Sequence, residues 1–168
     1  MTNQPRSYDL IAFDWDGTLY DSTAAITLAI QRSVADLGYQ TPTREQASYV
    51  IGLGLKEALA HAAPDVPHDA YPALGQRYRH HFAQVMGELT LFDGALTLLQ
   101  DLKAAGYRLA VATGKSRIGL NEVLSTMDLK GVFDDSRTAD ETAGKPNPQM
   151  LFELMAAARR PNDGADPG

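Results

Sequence analysis

The chain has 168 residues, 44% hydrophobic and 21% charged, the balance of a soluble globular protein with room for a sizeable core. A formal net charge of -6 sets it against broad attraction to nucleic acid or anionic lipid, and the lack of cysteine excludes disulfides and thiolate metal sites. No apolar run approaches the ~20 residues that span a bilayer, and the start MTNQPRS lacks the layout of a secretory signal. A cytoplasmic location is therefore expected, with neither membrane nor nucleic acid as partner.

Leu10 to Phe13, bounded by Asp9 and Asp14, is short and continuously apolar, which predicts a strand covered on both faces in a parallel sheet. A similar run returns at Leu109 to Ala112. The stretch between them is too long for one crossover helix, so an insertion is expected. It reads as helical. Ile26, Ile30, Val34 and Leu37 share one face before Gly38; Thr43 with Gln46 fits a capping box; Gly54 to Ala63 predicts a short helix ending at Pro64. Tyr71, Leu74, Tyr78, Phe82 and Val85 form a long stripe ending near Gly87, completing a small helical cap over residues 20–91.

The chain rejoins its core at Phe92-Asp93-Gly94. Ala95, Leu98, Leu99 and Leu102 predict a helix stopped by Gly106 and leading into the second strand. Ile118, Val123, Leu124 and Met127 predict another, Val132-Phe133 a short third strand, and Asn147-Pro148 an N-cap and N1 pair opening a helix to about Ala158. The fold class is α/β: a Rossmann-like parallel-sheet core from residues 1–19 and 92–158 with the cap inserted. Residues 159–168, RRPNDGADPG, hold two prolines, two glycines and no large apolar residue, and are expected to be a disordered tail.

The chemistry-bearing residues fall at strand ends. In DWDGT, Asp14 and Asp16 are two apart, so both can face one crevice while Trp15 turns the other way, and Gly17 permits a sharp turn. Such a pair can divide the work of nucleophile and general acid/base, or can simply cap a strand. Thr113-Gly114-Lys115-Ser116 supplies a hydroxyl, open backbone amides and a cation at a helix start, all suited to phosphate. It is not a nucleotide-binding P-loop, because Leu109 stands where that pattern needs glycine. In Ala143-Gly144-Lys145-Pro146 a lysine precedes a helix start and can aim a fixed charge into the crevice. His80 and His81 are adjacent on a helix, point to different faces, and do not make a chelating pair.

The ordered set of apolar strand plus DxDGT, helical insertion, apolar strand plus TGKS, and GKPNP resembles the haloacid dehalogenase superfamily, and its helical cap resembles the phosphoglycolate phosphatase branch. The resemblance implies that Asp14 attacks phosphorus to form an aspartyl phosphate, while Asp16 protonates the leaving alcohol and later activates water. Thr113, Gly114 and Lys145 would bind the phosphoryl group, Lys145 also orienting Asp14, and Asp14 with Asp16 would hold Mg²⁺. Gly52, Gly54 and Lys56 lie in a stretch resembling the family's substrate-facing cap loop, with a plain helix-to-helix turn an equal reading. The implied substrate is a small phosphorylated metabolite such as 2-phosphoglycolate. A phosphosugar mutase or pyrophosphatase of the same branch is the alternative, and Asp16 argues against a dehalogenase.

One departure stands out. The family pattern continues into a fourth strand closed by an acidic GDxxxD loop, which supplies a further Mg²⁺ ligand, and then a fifth strand. Asp163 and Asp166 have no preceding strand to hold them. The expectation is a C-terminally truncated member lacking its last core strands, impaired in catalysis, with the first strand an exposed edge inviting self-association.

Overall fold

The computed structural model describes residues 7–159, so the expected tail and its Asp163 and Asp166 lie outside the described residues except for Arg159. Strand β2 (Arg108–Thr113) is the spine of the molecule, with Leu109 through Ala112 nearly inaccessible to solvent. It pairs in parallel with β1 (Leu10–Phe13) on one side and β3 (Asp135–Thr138) on the other, in the order β1-β2-β3. Phe13 lies opposite Val111, and Thr113 opposite Thr138. All three strands therefore discharge their carboxyl-end loops at one edge of the sheet, where ligands of open α/β sheets bind.

The two faces of β2 are packed differently. Leu109 and Val111 face a large core with Trp15, Leu99, Leu120 and Val123, whereas Ala110 and Ala112 face a smaller cluster with Met150 and Leu154. The alanines leave room for close approach of helix α7 (Gln149–Ala158), which crosses all three strands. Helix α5 (Ala95–Ala104) packs on β2, and α6 (Arg117–Ser125) on β3.

The helical insertion contains α1 (Thr23–Asp36), α2 (Arg44–Tyr49), α3 (Leu55–Ala62) and, after a single 3-10 turn at His68–Ala70, α4 (Tyr71–Met86). Helix α1 buries Ile26, Ile30 and Val34 and packs on α4 and α2. Thr43 and Gln46 form a reciprocal capping box at the start of α2. The chain enters and leaves this insertion through two crossing segments, tied by Asp21 N–H to Thr90 O and Phe92 N–H to Leu19 O, both at 2.9 Å. No helix among the described residues is long and apolar enough to cross a membrane.

Several expectations are corrected. The third strand is Asp135–Thr138, not Val132-Phe133. Its sequence DSRT has no apolar run because β3 pairs on one side only among the described residues and its side chains are satisfied by polar partners: Arg137 donates to Asp135 at 2.6 Å, and Ser136 Oγ accepts from Arg117 of α6 at 2.8 Å. Phe133 packs edge-on against Trp15 from the preceding turn. Strand β1 is packed on both faces, Ile11 and Phe13 against the larger core and Leu10 against the smaller, though only partly buried, with Ala12 exposed. Ile118 (72% exposed) and Leu98 point outward, and the buried faces of their helices are carried by Leu120 with Val123 and by Ala95 with Leu99. Pro148, expected at N1, occupies the N-cap position of α7, so Asn147 lies one residue before the cap, while its side chain still accepts from Gln149 N–H.

Candidate active site

The turn after β1 brings two carboxylates to the sheet edge. Gly17 adopts φ +76°, a conformation that side chains resist, and the following amides fold back onto Trp15 O. Trp15 itself is fully buried and braced by the rings of Tyr20 and Phe133. That anchor fixes its backbone N–H, which donates to Asp14 Oδ1 at 2.8 Å. Lys145 Nζ donates to the same oxygen at 2.8 Å. Asp14 Oδ2 accepts no hydrogen bond among the described residues and faces Gly52.

Asp16 has a different setting. Its side chain is 10% exposed, accepts from Ser22 Oγ at 2.8 Å, and pairs with Lys115 Nζ at 3.6 Å. Burial pushes the Asp16 carboxyl above its ordinary range; Lys115 and the Ser22 hydroxyl pull it down, and the charge of Asp14 adds to the upward push. A buried carboxyl whose proton is favoured, beside one that keeps an oxygen free of hydrogen bonds, is a separation of settings suited to acid-assisted displacement. Burial, then the Asp16 charge, raises the Tyr20 hydroxyl to about 12 and the Tyr78 hydroxyl further still, so both stay protonated near neutrality.

The loops after β2 and β3 complete the wall. Thr113 is fully buried, and its Oγ1 accepts from Lys115 N–H at 3.1 Å. Ser116 caps α6 by accepting from Gly119 N–H. Ala139 N–H donates to Lys115 O at 3.0 Å, tying the two loops together. The lysine loop is held by its own turn: Ala143 N–H on Gln149 Oε1 at 2.8 Å and Asn147 N–H on Gly144 O at 3.0 Å.

The insertion descends onto this wall. A Cβ on Gly114 would collide with the carbonyl oxygen of Leu53 and lie 2.6 Å from that of Gly52, so the stretch around Gly52 rests directly on the loop after β2. Gly54 approaches Ala139 on the other side. Lys56, by contrast, is exposed, and its side chain makes no hydrogen bond or ion pair among the described residues. Asp14, Asp16, Thr113, Gly114, Lys145, Gly52 and Gly54 thus converge, and Lys56 stands apart. Ser22, Tyr78 and Phe82 were not singled out as site residues from the sequence; nothing in a serine before a helix or an aromatic helical stripe announces a carboxylate neighbour. A cleft of about 780 Å³ runs between α6 and β3, lined by Arg117, Phe133, Ser136 and Arg137, but neither carboxylate borders it. Convergent charge rather than cavity size marks the site.

No cluster of three or more His, Cys, Asp or Glu suited to a metal exists among the described residues. The donor set still suits Mg²⁺, which keeps several waters and needs one or two carboxylates; Asp14 and Asp16 lie close enough for the charge of one to act on the other.

Comparison with known proteins agrees with this geometry. The family model described as haloacid dehalogenase-like hydrolase matches residues 11–164. The chain is 30% identical over 164 residues to a phosphoglycolate phosphatase of Agrobacterium fabrum, covering 94% of this chain and 70% of the relative. It is 32% identical over 155 residues to a phosphoglycolate phosphatase of Aliivibrio fischeri, covering 87% and 68%. A predicted phosphatase from Clostridium acetobutylicum superposes with a TM-score of 0.75 at 26% identity, covering 89% of this chain and 70% of that one. With ordered strand-end motifs, an inserted helical cap and these relatives, the chain belongs to the haloacid dehalogenase-like hydrolases, in their phosphoglycolate phosphatase-like branch of phosphatase enzymes.

Proposed function

We propose that this protein hydrolyses a small phosphomonoester, 2-phosphoglycolate or a close analogue, through an aspartyl phosphate on Asp14. The observation that carries the reading is the pairing of each strand-end carboxylate with its own lysine, Asp14 with Lys145 at 2.8 Å and Asp16 with Lys115 at 3.6 Å, beneath the loop at Gly52. Phosphoryl transfer asks for an in-line nucleophile, positive charge around the equatorial oxygens and a proton for the departing oxygen.

Asp14 supplies the nucleophile. The Trp15 amide and Lys145 hold its Oδ1, leaving Oδ2 to approach phosphorus. Lys145, the Thr113 hydroxyl and the Gly114 amide are the groups that would receive the phosphoryl oxygens, Lys145 from its place on Asp14 Oδ1. Asp16, its proton favoured by burial, gives that proton to the leaving alcohol and then takes one from the water that releases phosphate. Asp14 and Asp16 would hold Mg²⁺, which neutralises phosphoryl charge when bound. The closeness of Gly52 to Asp14 favours a compact substrate over a bulky one.

The test is Mg²⁺-dependent phosphate release from 2-phosphoglycolate and an aryl phosphate by the chain and by Asp14→Asn. The expected outcome is turnover by the parent and a loss of about 10³-fold or more in the variant. Equal turnover by both would sink the reading.

A further inference from the structure

The two lysines of the site differ in what else they touch. Lys145 reaches Asp14 from the loop before α7, whereas Lys115 also reaches the helical insertion: its Nζ lies 4.6 Å from the centroid of the Phe82 ring while standing 3.6 Å from Asp16 Oδ2. The Lys115 side chain is only 11% exposed. An ammonium held this dry depends on its neighbours, and here they are a carboxylate and the negative face of an aromatic ring. Phe82 is in turn stacked on Tyr78, with centroids 6.1 Å apart and planes within 10°. Its ring is therefore oriented by helix α4. The preceding residue, Gly114, carries the carbonyls of Gly52 and Leu53. The insertion thus grips two consecutive residues of the loop after β2.

We propose that Phe82 is a positioning residue that makes the bracing of Asp16 conditional on the seating of α4 over the loop after β2. With α4 seated, ring and carboxylate hold Lys115 between them. Without that ring, Lys115 loses its π face, returns to water and no longer braces Asp16. The π face matters rather than bulk alone: Leu or Met fills similar apolar space but offers no quadrupole to a cation. The kinetic consequence rests on the phosphatase reading above; the structural one rests on the geometry.

The experiment uses the full chain beside Phe82→Leu, Phe82→Met and Phe82→Tyr, the two aliphatic variants guarding against one that does not fold. Pulsed reductive methylation followed by peptide mass spectrometry reads the labelling of Lys115 relative to Lys130, an exposed lysine on the turn after α6. A rise of about tenfold at Lys115 in the aliphatic variants is expected, with protection restored in Phe82→Tyr. Unchanged Lys115 labelling in a folded Leu or Met variant overturns the proposal, whatever the activity of the chain. In turnover, the aliphatic variants should lose about tenfold or more in kcat with KM nearly constant, and Phe82→Tyr should recover it. An effect on KM alone, or an equal loss in Phe82→Tyr, counts against the coupling. A parent chain that turns over no phosphomonoester rejects the phosphatase reading and leaves the labelling to decide on Phe82.

Discussion

Single residues here are constrained less by their own chemistry than by what rests on them. Gly114 shows this. Its amide is suited to phosphate, yet the contact with the Gly52 and Leu53 carbonyls shows that a side chain would also meet backbone that cannot turn aside. Gly114→Ala should displace the stretch around Gly52 from its seat, with faster amide hydrogen exchange there and a drop of about tenfold in kcat/KM, while the rest of the chain exchanges as before. Unchanged exchange at residues 51–54 would show that the loop adapts without leaving. The carboxylate pair was legible because spacing by two on a strand end is a local property of the backbone. The hydroxyl of Ser22 and the ring of Phe82 were not legible, because what they touch is set by packing of distant segments.

At the scale of elements, Asp134 ties β3 to its neighbours at its very start. One carboxylate oxygen accepts from Lys103 Nζ at 2.6 Å on α5, and the other from Leu109 N–H at 2.9 Å on β2. Burial pushes this carboxyl up, but the Lys103 and Leu109 bonds outweigh it and leave it below the ordinary 3.8. A depressed carboxyl contributes stability that is present above its unfolded value and lost as pH falls through its folded one. Asp134→Ala should therefore cost about 1–2 kcal/mol at pH 7, held to that range by solvent around the partly exposed pair. The difference should shrink below pH ~4. Denaturant melts of both proteins at two pH values check this, and a constant difference down to acid pH would mean that packing, not charge, is lost. At the start of α2, Thr43→Ala should cost about 1 kcal/mol by removing the capping box, read from the same melts.

Over the whole molecule, the described sheet is asymmetric. Strand β1 pairs on one side only, and α7 beside it exposes Leu151, Phe152 (64% exposed) and Met155. An unpaired strand edge next to apolar side chains favours association. Sedimentation equilibrium should give a mass that rises with concentration, and Phe152→Lys should bring it toward the monomer without lowering the melting temperature. A monomer throughout the micromolar range would argue that this edge is passive.

The sequence by itself determined the α/β class, the positions of β1, β2 and most helices, and the family, because periodicity, caps and short strand-end motifs are written within a few residues of one another. It missed β3, since a polar strand bonded through its side chains carries no apolar run. Only the tertiary structure decided that Lys115 lies between Asp16 and Phe82 and that Gly114 sits beneath Gly52 and Leu53. Those contacts join residues far apart in the chain, and which side chains meet across such distances depends on how the helical insertion packs against the sheet edge rather than on any local pattern.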